Sequence, residues 1–198
     1  MTEVVIVPTG TANMASVRSA FRRLGSSARL ARSPGEVSDA RHLVVPGVGS
    51  FGAAMTAVDR LDLSQAILDR ARSGYPTLAV CVGMQLLCRD SAESPGVSGL
   101  GLLDESVTRF HGDVRVPQLG WNEVEANPGS RFLEPGWAYF ANSYRLVDEP
   151  EGWISSMADH GGRFVAAIER DSVLALQFHP ELSGDWGASI IDRWLRAS

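Results

Sequence analysis

The hydrophobic pattern in the first half of the chain alternates between two periods. Short apolar runs at 4–7, 43–45 and 77–80 predict buried strands. Between them, apolar residues recur three or four positions apart, as on one face of a helix; these are Met14, Val17, Phe21 and Leu24, and later Leu63, Ile67 and Ala71. The alternation predicts an α/β fold, with an open, mostly parallel sheet and helices on both faces.

The second half carries shorter apolar segments separated by turn residues, and these predict an antiparallel extension of the sheet. The segments are 107–110, 122–124, 139–140 and 164–168. Residues 174–178 return to the pattern of a central strand, and the apolar stripe within 186–195 predicts a closing helix. The whole arrangement corresponds to a flavodoxin-like sheet with an antiparallel addition in its second half.

Length and composition limit the class of protein. With 198 residues, 44% of them hydrophobic, the chain can bury one core without disulfides or metals. Its glycines and prolines are spread out rather than gathered in a linker, so we expect a single domain over 1–198. A net charge of −5 argues against general attraction to nucleic acid or anionic membranes. Residues 1–7 lack the features of a signal peptide or membrane span, so a cytoplasmic location is expected.

Cys81 stands where a predicted strand meets a predicted helix. Its neighbours Ala79 and Gly83 are small, as a sharp turn that presents a nucleophile requires. The start of the following helix can stabilise negative charge on an attacking sulfur and offer an N–H donor to an oxyanion. The alternative is that Cys81 is a small apolar residue at the end of a buried strand, as we expect for Cys88. The spacing of these two cysteines predicts neither a disulfide framework nor a metal site.

The segment His179-Pro180-Glu181 supplies candidate partners for the thiol. The residue before a proline is held extended and the proline fixes its own φ, so side chains 179 and 181 can point to the same side. Glu181 can then orient the imidazole while the other ring nitrogen faces the thiol. The alternative is an ordinary turn at a strand end. The remaining histidines are expected to be structural; they are His42, His111 and His160.

Residues 46–52 form a glycine-rich loop, Pro-Gly-Val-Gly-Ser-Phe-Gly. The loop has neither the Lys-Ser/Thr of a P-loop nor the spacing of a dinucleotide-binding loop, so it does not predict a nucleotide cofactor. Its backbone N–H groups could contact an oxyanion or a ligand; the alternative is a turn into a helix. Loops at the carboxyl ends of parallel strands meet at one edge of a sheet. We therefore expect sites to form from 46–52, 81–85 and 179–184.

Read together, these segments resemble the class I, or triad, glutamine amidotransferases, and most closely the family of glutaminase subunits of imidazole glycerol phosphate synthases. The resemblance agrees in order and spacing over nearly the whole chain; the matching segments are 9–13, 45–49, 81–87, 120–122, 139–140, 143–144, 177–181 and 183–184. It implies hydrolysis of glutamine to glutamate and ammonia. Cys81 would be the nucleophile, His179 would move the protons, and Glu181 would orient His179.

The resemblance also implies an oxyanion hole and a glutamine pocket. The backbone N–H groups of Val48 and Val82 would bind the oxyanion. The positions implied around the head group of the substrate are Gly49, Gln85, Glu93, Ser143 and Tyr144. A carboxylate such as that of Glu93 suits the α-ammonium group of glutamine. No cofactor and no metal is implied.

A partner follows from the same resemblance, because free ammonia would be lost to water. In the family, a cyclase subunit with a (β/α)8 barrel forms a heterodimer with the glutaminase and uses the ammonia in histidine biosynthesis, where it makes imidazole glycerol phosphate and aminoimidazole carboxamide ribonucleotide. Positions that match partner-facing segments are Asn13, Gln118, Trp121 and Asn122.

The sequence departs from the family pattern at several positions. Ala79 replaces a usual glycine, Leu182 replaces a common basic residue, and Gln118 and Asn142 stand where histidine is common. The two amides keep hydrogen-bonding capacity but lose a titratable ring. None of these positions belongs to the triad.

Three alternatives to this function remain at this point. A paralogous glutaminase could supply ammonia to another acceptor, such as a sugar, because the acceptor chemistry takes place on the partner. A catalytically silent subunit could keep only the partner surface, although the intact triad argues against it. A cysteine-dependent peptidase could use the same scaffold, since fold does not fix function.

Overall fold

The computed structural model describes residues 2–10 and 14–197. In the first half, strands and helices alternate in the order β1 (Glu3–Ile6), α1 (Met14–Arg23), β2 (Ser27–Leu30), α2 (Pro34–Ser38), β3 (His42–Val45), α3 (Phe51–Arg60), α4 (Ser64–Arg72), β4 (Thr77–Val80) and α5 (Val82–Leu86). The second half contains β5 (Asp90–Ser91), β6 (Ser106–Arg109), β7 (Gln118–Val124), β8 (Gly136–Asn142), β9 (Tyr144–Arg145), β10 (Ile154–Asp159), β11 (Arg163–Arg170), β12 (Val173–Leu176), a 3-10 turn (Pro180–Leu182) and α6 (Gly184–Arg196).

A seven-stranded sheet forms the centre of the fold, in the order β10-β11-β12-β4-β3-β1-β2. The five strands from β12 to β2 are parallel, and β11 and β10 continue the sheet antiparallel at one edge. Strands β3, β4 and β12 are buried along their whole length. Because both faces of these strands are covered, they stand in the sequence as continuous apolar runs. The predicted α/β class with a mostly parallel sheet is confirmed.

The helices follow from the order of the strands. The connection from β1 to β2 runs towards one edge of the sheet. The connection from β2 to β3 then runs towards the other edge and passes β1. Since crossovers between parallel strands are right-handed, connections that run in opposite directions lie on opposite faces of the sheet. Helix α1 contacts the 3-10 turn that leads into α6, whereas α2 contacts α4. Both α1 and α6 bury the apolar stripe that the sequence predicts.

An antiparallel ribbon of β7 and β8 lies beside the main sheet, with Gln118 opposite Asn142 and Trp121 opposite Tyr139. Its inner face buries Phe140 and the neighbouring apolar residues, and its outer face leaves Leu119, Trp121 and Trp137 more than half exposed. The ribbon is joined to the segment after β12, because the backbone N–H of His179 donates to the Tyr139 carbonyl at 2.9 Å. It therefore adjoins the carboxyl edge of the central strands.

The structure contains elements that the sequence analysis does not predict, among them β2 and α3, and each is missed for a specific reason. The edge strand β2 is half exposed and includes Ser27 and Arg29, so it gives no continuous apolar run. Helix α3 begins inside the glycine-rich loop, where Ser50 accepts a hydrogen bond from the Ala53 N–H as its N-cap.

Asn13 and the rest of segment 11–13 lie outside the described residues. Within the described ranges, no helix is long and apolar enough to cross a bilayer.

Candidate active site

Cys81 lies on the sharp turn between β4 and α5. Its backbone adopts φ 54° and ψ −112°, a conformation that residues with a side chain rarely adopt. The turn is held at its start, where the Cys81 N–H donates to the Leu176 carbonyl of the neighbouring parallel strand at 2.7 Å. The strained turn that the sequence predicts at Cys81 is therefore present.

Gly83 shows why this turn needs a small residue. A Cβ atom at position 83 would collide with the Val45 carbonyl oxygen at the end of β3. Gly47 fits closely from the other side, since a Cβ there would lie 2.7 Å from Cβ of Val82. Position 83 thus requires glycine because the end of β3 and the loop after it lie against the turn. Ala79 lies within β4, where it pairs with Val45 on one side and Ala175 on the other, so its methyl group is accommodated.

His179 and Glu181 follow β12, the strand directly beside β4. The Nδ1 atom of His179 lies 2.9 Å from Oε1 of Glu181, and the two side chains are 4% and 9% exposed. Cys81 lies close enough to the imidazole to raise the pKa of His179. Since Nδ1 faces the carboxylate, Nε2 is the ring nitrogen left for the thiol. The structure brings these three predicted residues together at the carboxyl edge of two parallel strands.

The protonation of His179 is strongly affected by its neighbours. Burial lowers the pKa of His179, but the hydrogen bonds and charges of Cys81 and Glu181 outweigh burial and raise this pKa to about 10. The ring therefore holds a proton at neutral pH, as a general acid must. Cys88 has no such partner: burial raises the pKa of its thiol to about 12, which makes it unreactive, as expected for a core cysteine.

The two N–H groups expected to bind an oxyanion lie close to Cys81, although one of them is engaged. Val48, Gly49 and Val82 all line the cavity in front of the thiol. The Val82 N–H donates to the Gly47 carbonyl at 3.3 Å. The Val82 N–H can donate to another acceptor only when this contact is released.

The cavity in front of Cys81 has a volume of about 270 Å³. The predicted pocket residues Gln85, Glu93, Ser143 and Tyr144 all line it. Glu93 also accepts a hydrogen bond at 2.7 Å from the Phe51 N–H, at the first turn of α3. This bond fixes the carboxylate at the rim, where its negative charge can meet an ammonium group.

Two residues absent from the predicted site contribute to it. Asn142 lines the cavity and donates from Nδ2 to the Tyr144 carbonyl at 2.9 Å. Gln177 is fully buried and its Nε2 lies 3.7 Å from Sγ of Cys81. A buried glutamine two positions before His179 is a signal that could have indicated a polar role, because a buried amide needs hydrogen-bond partners.

The predicted partner-facing residues do not all share one environment. Trp121 is 55% exposed on the outer face of the ribbon. Asn122 donates to the Asp159 carbonyl at 2.8 Å. Gln118 is buried on the inner face of the ribbon, so in this structure its side chain is not accessible to a partner. Asn13 lies outside the described residues.

Comparison with known proteins agrees with this fold. The family described as glutamine amidotransferase class-I matches residues 9–197, and the chain belongs to this family. A solved crystal structure of a glutamine amidotransferase has the same fold, with a TM-score of 0.78 over 98% of this chain and 97% of that one, at 22% identity.

Curated relatives narrow the family further. The chain is 38% identical to imidazole glycerol phosphate synthase subunit HisH of Symbiobacterium thermophilum, over 99% of this chain and 94% of that protein. The HisH subunit of Deinococcus radiodurans is also 38% identical, over 98% of this chain and 93% of its own length. Within the class I amidotransferases, the chain is thus a member of the HisH family. It also matches the chloroplastic hisHF protein of Arabidopsis thaliana at 38% identity, but spans only 34% of that longer protein.

Proposed function

We propose that this chain is the glutaminase subunit of an imidazole glycerol phosphate synthase, with Cys81, His179 and Glu181 as its catalytic triad. The observation that carries the proposal is the grouping of these three side chains: Cys81 lies on a strained turn at the wall of a cavity, His179 lies beside it, and Glu181 bonds to His179. Membership of the HisH family supports the assignment to histidine biosynthesis.

The chemistry follows from the protons and the charges. Before the attack the thiol proton has passed to Nε2 of His179, which gives the protonated ring that the raised pKa favours, and Sγ of Cys81 then attacks the side-chain amide carbon of glutamine. The imidazolium then protonates the leaving nitrogen, so that ammonia departs and a thioester remains. Water attacks the thioester, with His179 taking its proton, and glutamate is released. Glu181 keeps the ring oriented through Nδ1 in every step.

The pocket suits the amino-acid end of glutamine. Glu93 faces the α-ammonium group, and the segment of Ser143 and Tyr144 with Gln85 binds the rest of the head group. Gly49, in the glycine-rich loop, closes over the substrate. Val48 and, once its bond to Gly47 is released, Val82 donate to the oxyanion.

The acceptor of the ammonia is proposed to be a cyclase subunit with a (β/α)8 barrel, bound as a heterodimer. The outer face of the β7–β8 ribbon supports this proposal, because it exposes Leu119, Trp121 and Trp137 together. An exposed apolar patch of this kind is typical of a protein interface. Leu182, 44% exposed after the triad, occupies the position where the family commonly carries a basic residue. A single domain over 1–198 and a cytoplasmic location belong to the same proposal.

The first test measures glutamate release from glutamine by the purified chain, alone and then with the candidate cyclase and its ribulosyl aminoimidazole carboxamide nucleotide. Strong stimulation by partner and nucleotide together is expected. Binding of the cyclase without glutamate release would contradict catalysis, and absence of binding would show that the acceptor is another protein. Labelling by diazo-oxo-norleucine provides an independent measurement, since modification is expected at Cys81 and not at Cys88.

A further inference from the structure

Gln177 connects the substrate pocket to the nucleophile. It lies in the chain between the end of β12 and His179, and it is completely buried. Its Oε1 accepts a hydrogen bond from Nε2 of Gln85 at 2.9 Å, and its own Nε2 lies 3.7 Å from Sγ of Cys81. The backbone N–H of Gln177 is fixed separately, because it donates to the Ala166 carbonyl at 2.8 Å.

The orientation of both amides is determined by a backbone carbonyl. Nε2 of Gln85 donates to the Tyr144 carbonyl at 3.2 Å, and a carbonyl oxygen can only accept. The nitrogen of Gln85 must therefore be the atom that also faces Gln177, so Gln177 must present its oxygen to Gln85. This leaves the Nε2 donor of Gln177 pointing at the sulfur.

The same carbonyl is held from a second direction. Nδ2 of Asn142 donates to the Tyr144 carbonyl at 2.9 Å, next to the bond from Gln85. Asn142, Gln85 and Gln177 thus form a connected set of amides that ends at the thiol. A donor directed at a buried sulfur binds more strongly when the sulfur becomes an anion, because charge-assisted hydrogen bonds are the stronger ones.

We infer that Gln177 is a positioning residue of the glutaminase reaction: its amide holds Sγ of Cys81 beside His179 and donates to the sulfur as negative charge develops on it. The inference rests on the proposed function. Gln177 is not among the residues that line the cavity in front of Cys81, so it acts through the position and charge of the sulfur. Its bond to Gln85 keeps the donor aimed at the thiol when the pocket is filled.

The test uses Gln177→Met, which keeps the length of the side chain but removes the donor, and Gln177→Glu, which keeps an acceptor for Gln85 and removes the donor. Two rates are measured with the cyclase-bound protein: glutamate release, resolved into kcat and KM, and alkylation of Cys81 by iodoacetamide, followed by peptide mass spectrometry. Iodoacetamide is small and needs no glutamine pocket, so its rate reports on the sulfur alone. The matched control is Gln65→Met, the same change at an exposed glutamine of α4 that bonds to Asp69.

For Gln177→Met we expect the alkylation rate and kcat each to fall about tenfold, the size of one lost hydrogen bond to a charged group, with KM changed less than about twofold. For Gln177→Glu the loss should be larger, because a carboxylate would face the sulfur. Unchanged alkylation would overturn the inference, as would a raised KM with unchanged kcat, since that would assign Gln177 to the pocket alone. If the wild-type complex releases no glutamate, the proposed function fails, but the ratio of alkylation rates still decides the role of Gln177.

A measurement on a protein with Gln177 intact covers the case in which both variants fail to fold. The side-chain amide of Gln177 should give nitrogen-15 resonances that exchange slowly with solvent and shift in Cys81→Ala. Cys88→Ala, a change at the other buried cysteine, should leave these resonances in place. Resonances that do not respond to Cys81→Ala would also overturn the inference.

Discussion

Oε1 of Glu181 lies 2.9 Å from Nδ1 of His179, and the two side chains are 91% or more removed from solvent, since they are 9% and 4% exposed. A buried carboxylate beside an imidazole favours the protonated ring, and together with Cys81 it keeps the pKa of His179 at about 10 despite burial. The orientation of the imidazole and its protonation therefore depend on the same contact with Glu181.

Glu181→Gln should lower the pKa of His179, because the amide removes a negative charge while keeping the size of the side chain. The folded-state pKa lies above the ordinary value of 6.5, so this pair stabilises the fold fully below pH 6.5, and the stabilisation is lost as pH rises towards 10. The stability of the wild type should fall across that window more than that of Glu181→Gln. A carbon-13 titration of the His179 ring, with urea unfolding at several pH values, measures both. Identical titrations would contradict the role given to Glu181.

Removal of the two residues should have unequal kinetic effects. His179→Ala removes the group that moves protons and should lower kcat by about a thousandfold, within the usual range for general acid–base catalysis. Glu181→Ala should cost roughly tenfold less, because the base remains although its orientation is lost. Steady-state glutamate release in the presence of the cyclase compares them. Equal losses, or a greater loss for Glu181→Ala, would contradict these roles.

Cys81→Ala should abolish glutamate release and leave partner binding intact, because it removes only the sulfur. Cys81→Gly should do the same but be more stable than Cys81→Ala, since φ 54° with ψ −112° strains any residue that carries a Cβ. We expect the free energy of unfolding to be about 1 kcal/mol higher for Cys81→Gly. This is a net value, because the greater conformational entropy of glycine in the unfolded chain offsets part of the relieved strain. Urea denaturation of the two variants measures it. Greater stability of Cys81→Ala would show that the turn is not strained.

Gly83→Ala tests the contact between the nucleophile turn and β3. The added Cβ would strike the Val45 carbonyl oxygen, a backbone atom of the central sheet. The variant should lose about 2–3 kcal/mol of stability and most of its activity, because the turn must move to relieve the overlap. Gly35→Ala is the control: a Cβ at position 35, in α2, meets nothing nearer than the Ser33 hydroxyl at 3.9 Å. Thermal unfolding of both distinguishes a local clash from a general effect of the substitution.

The sequence predicts the central sheet and the approximate place of the triad for one physical reason. Strands covered on both faces are continuous apolar runs, and each chemically active segment directly follows such a run, as Cys81 follows β4. The contacts between segments cannot be obtained in this way. The bond from the Val82 N–H to the Gly47 carbonyl and the approach of Gly83 to Val45 depend on how two loops pack in three dimensions. Gln177 stands in an apolar run, where no periodicity reveals which way its amide points.

Trp121 offers a test of the partner surface that is separate from catalysis. Its ring lies on the outer face of the β7–β8 ribbon, 55% exposed and edge-on to Tyr139. Large aromatic residues at the centre of an interface commonly contribute 2 kcal/mol or more to binding, so Trp121→Ala should weaken cyclase binding by about thirtyfold. Tyr75→Ala is the matched control, because Tyr75 is 58% exposed but precedes β4, at the end of that strand opposite to Cys81. Titration calorimetry should give an altered Kd for Trp121→Ala alone. If both variants bind like the wild type, the ribbon is not the docking face; if both weaken binding equally, the effect is not specific to this surface.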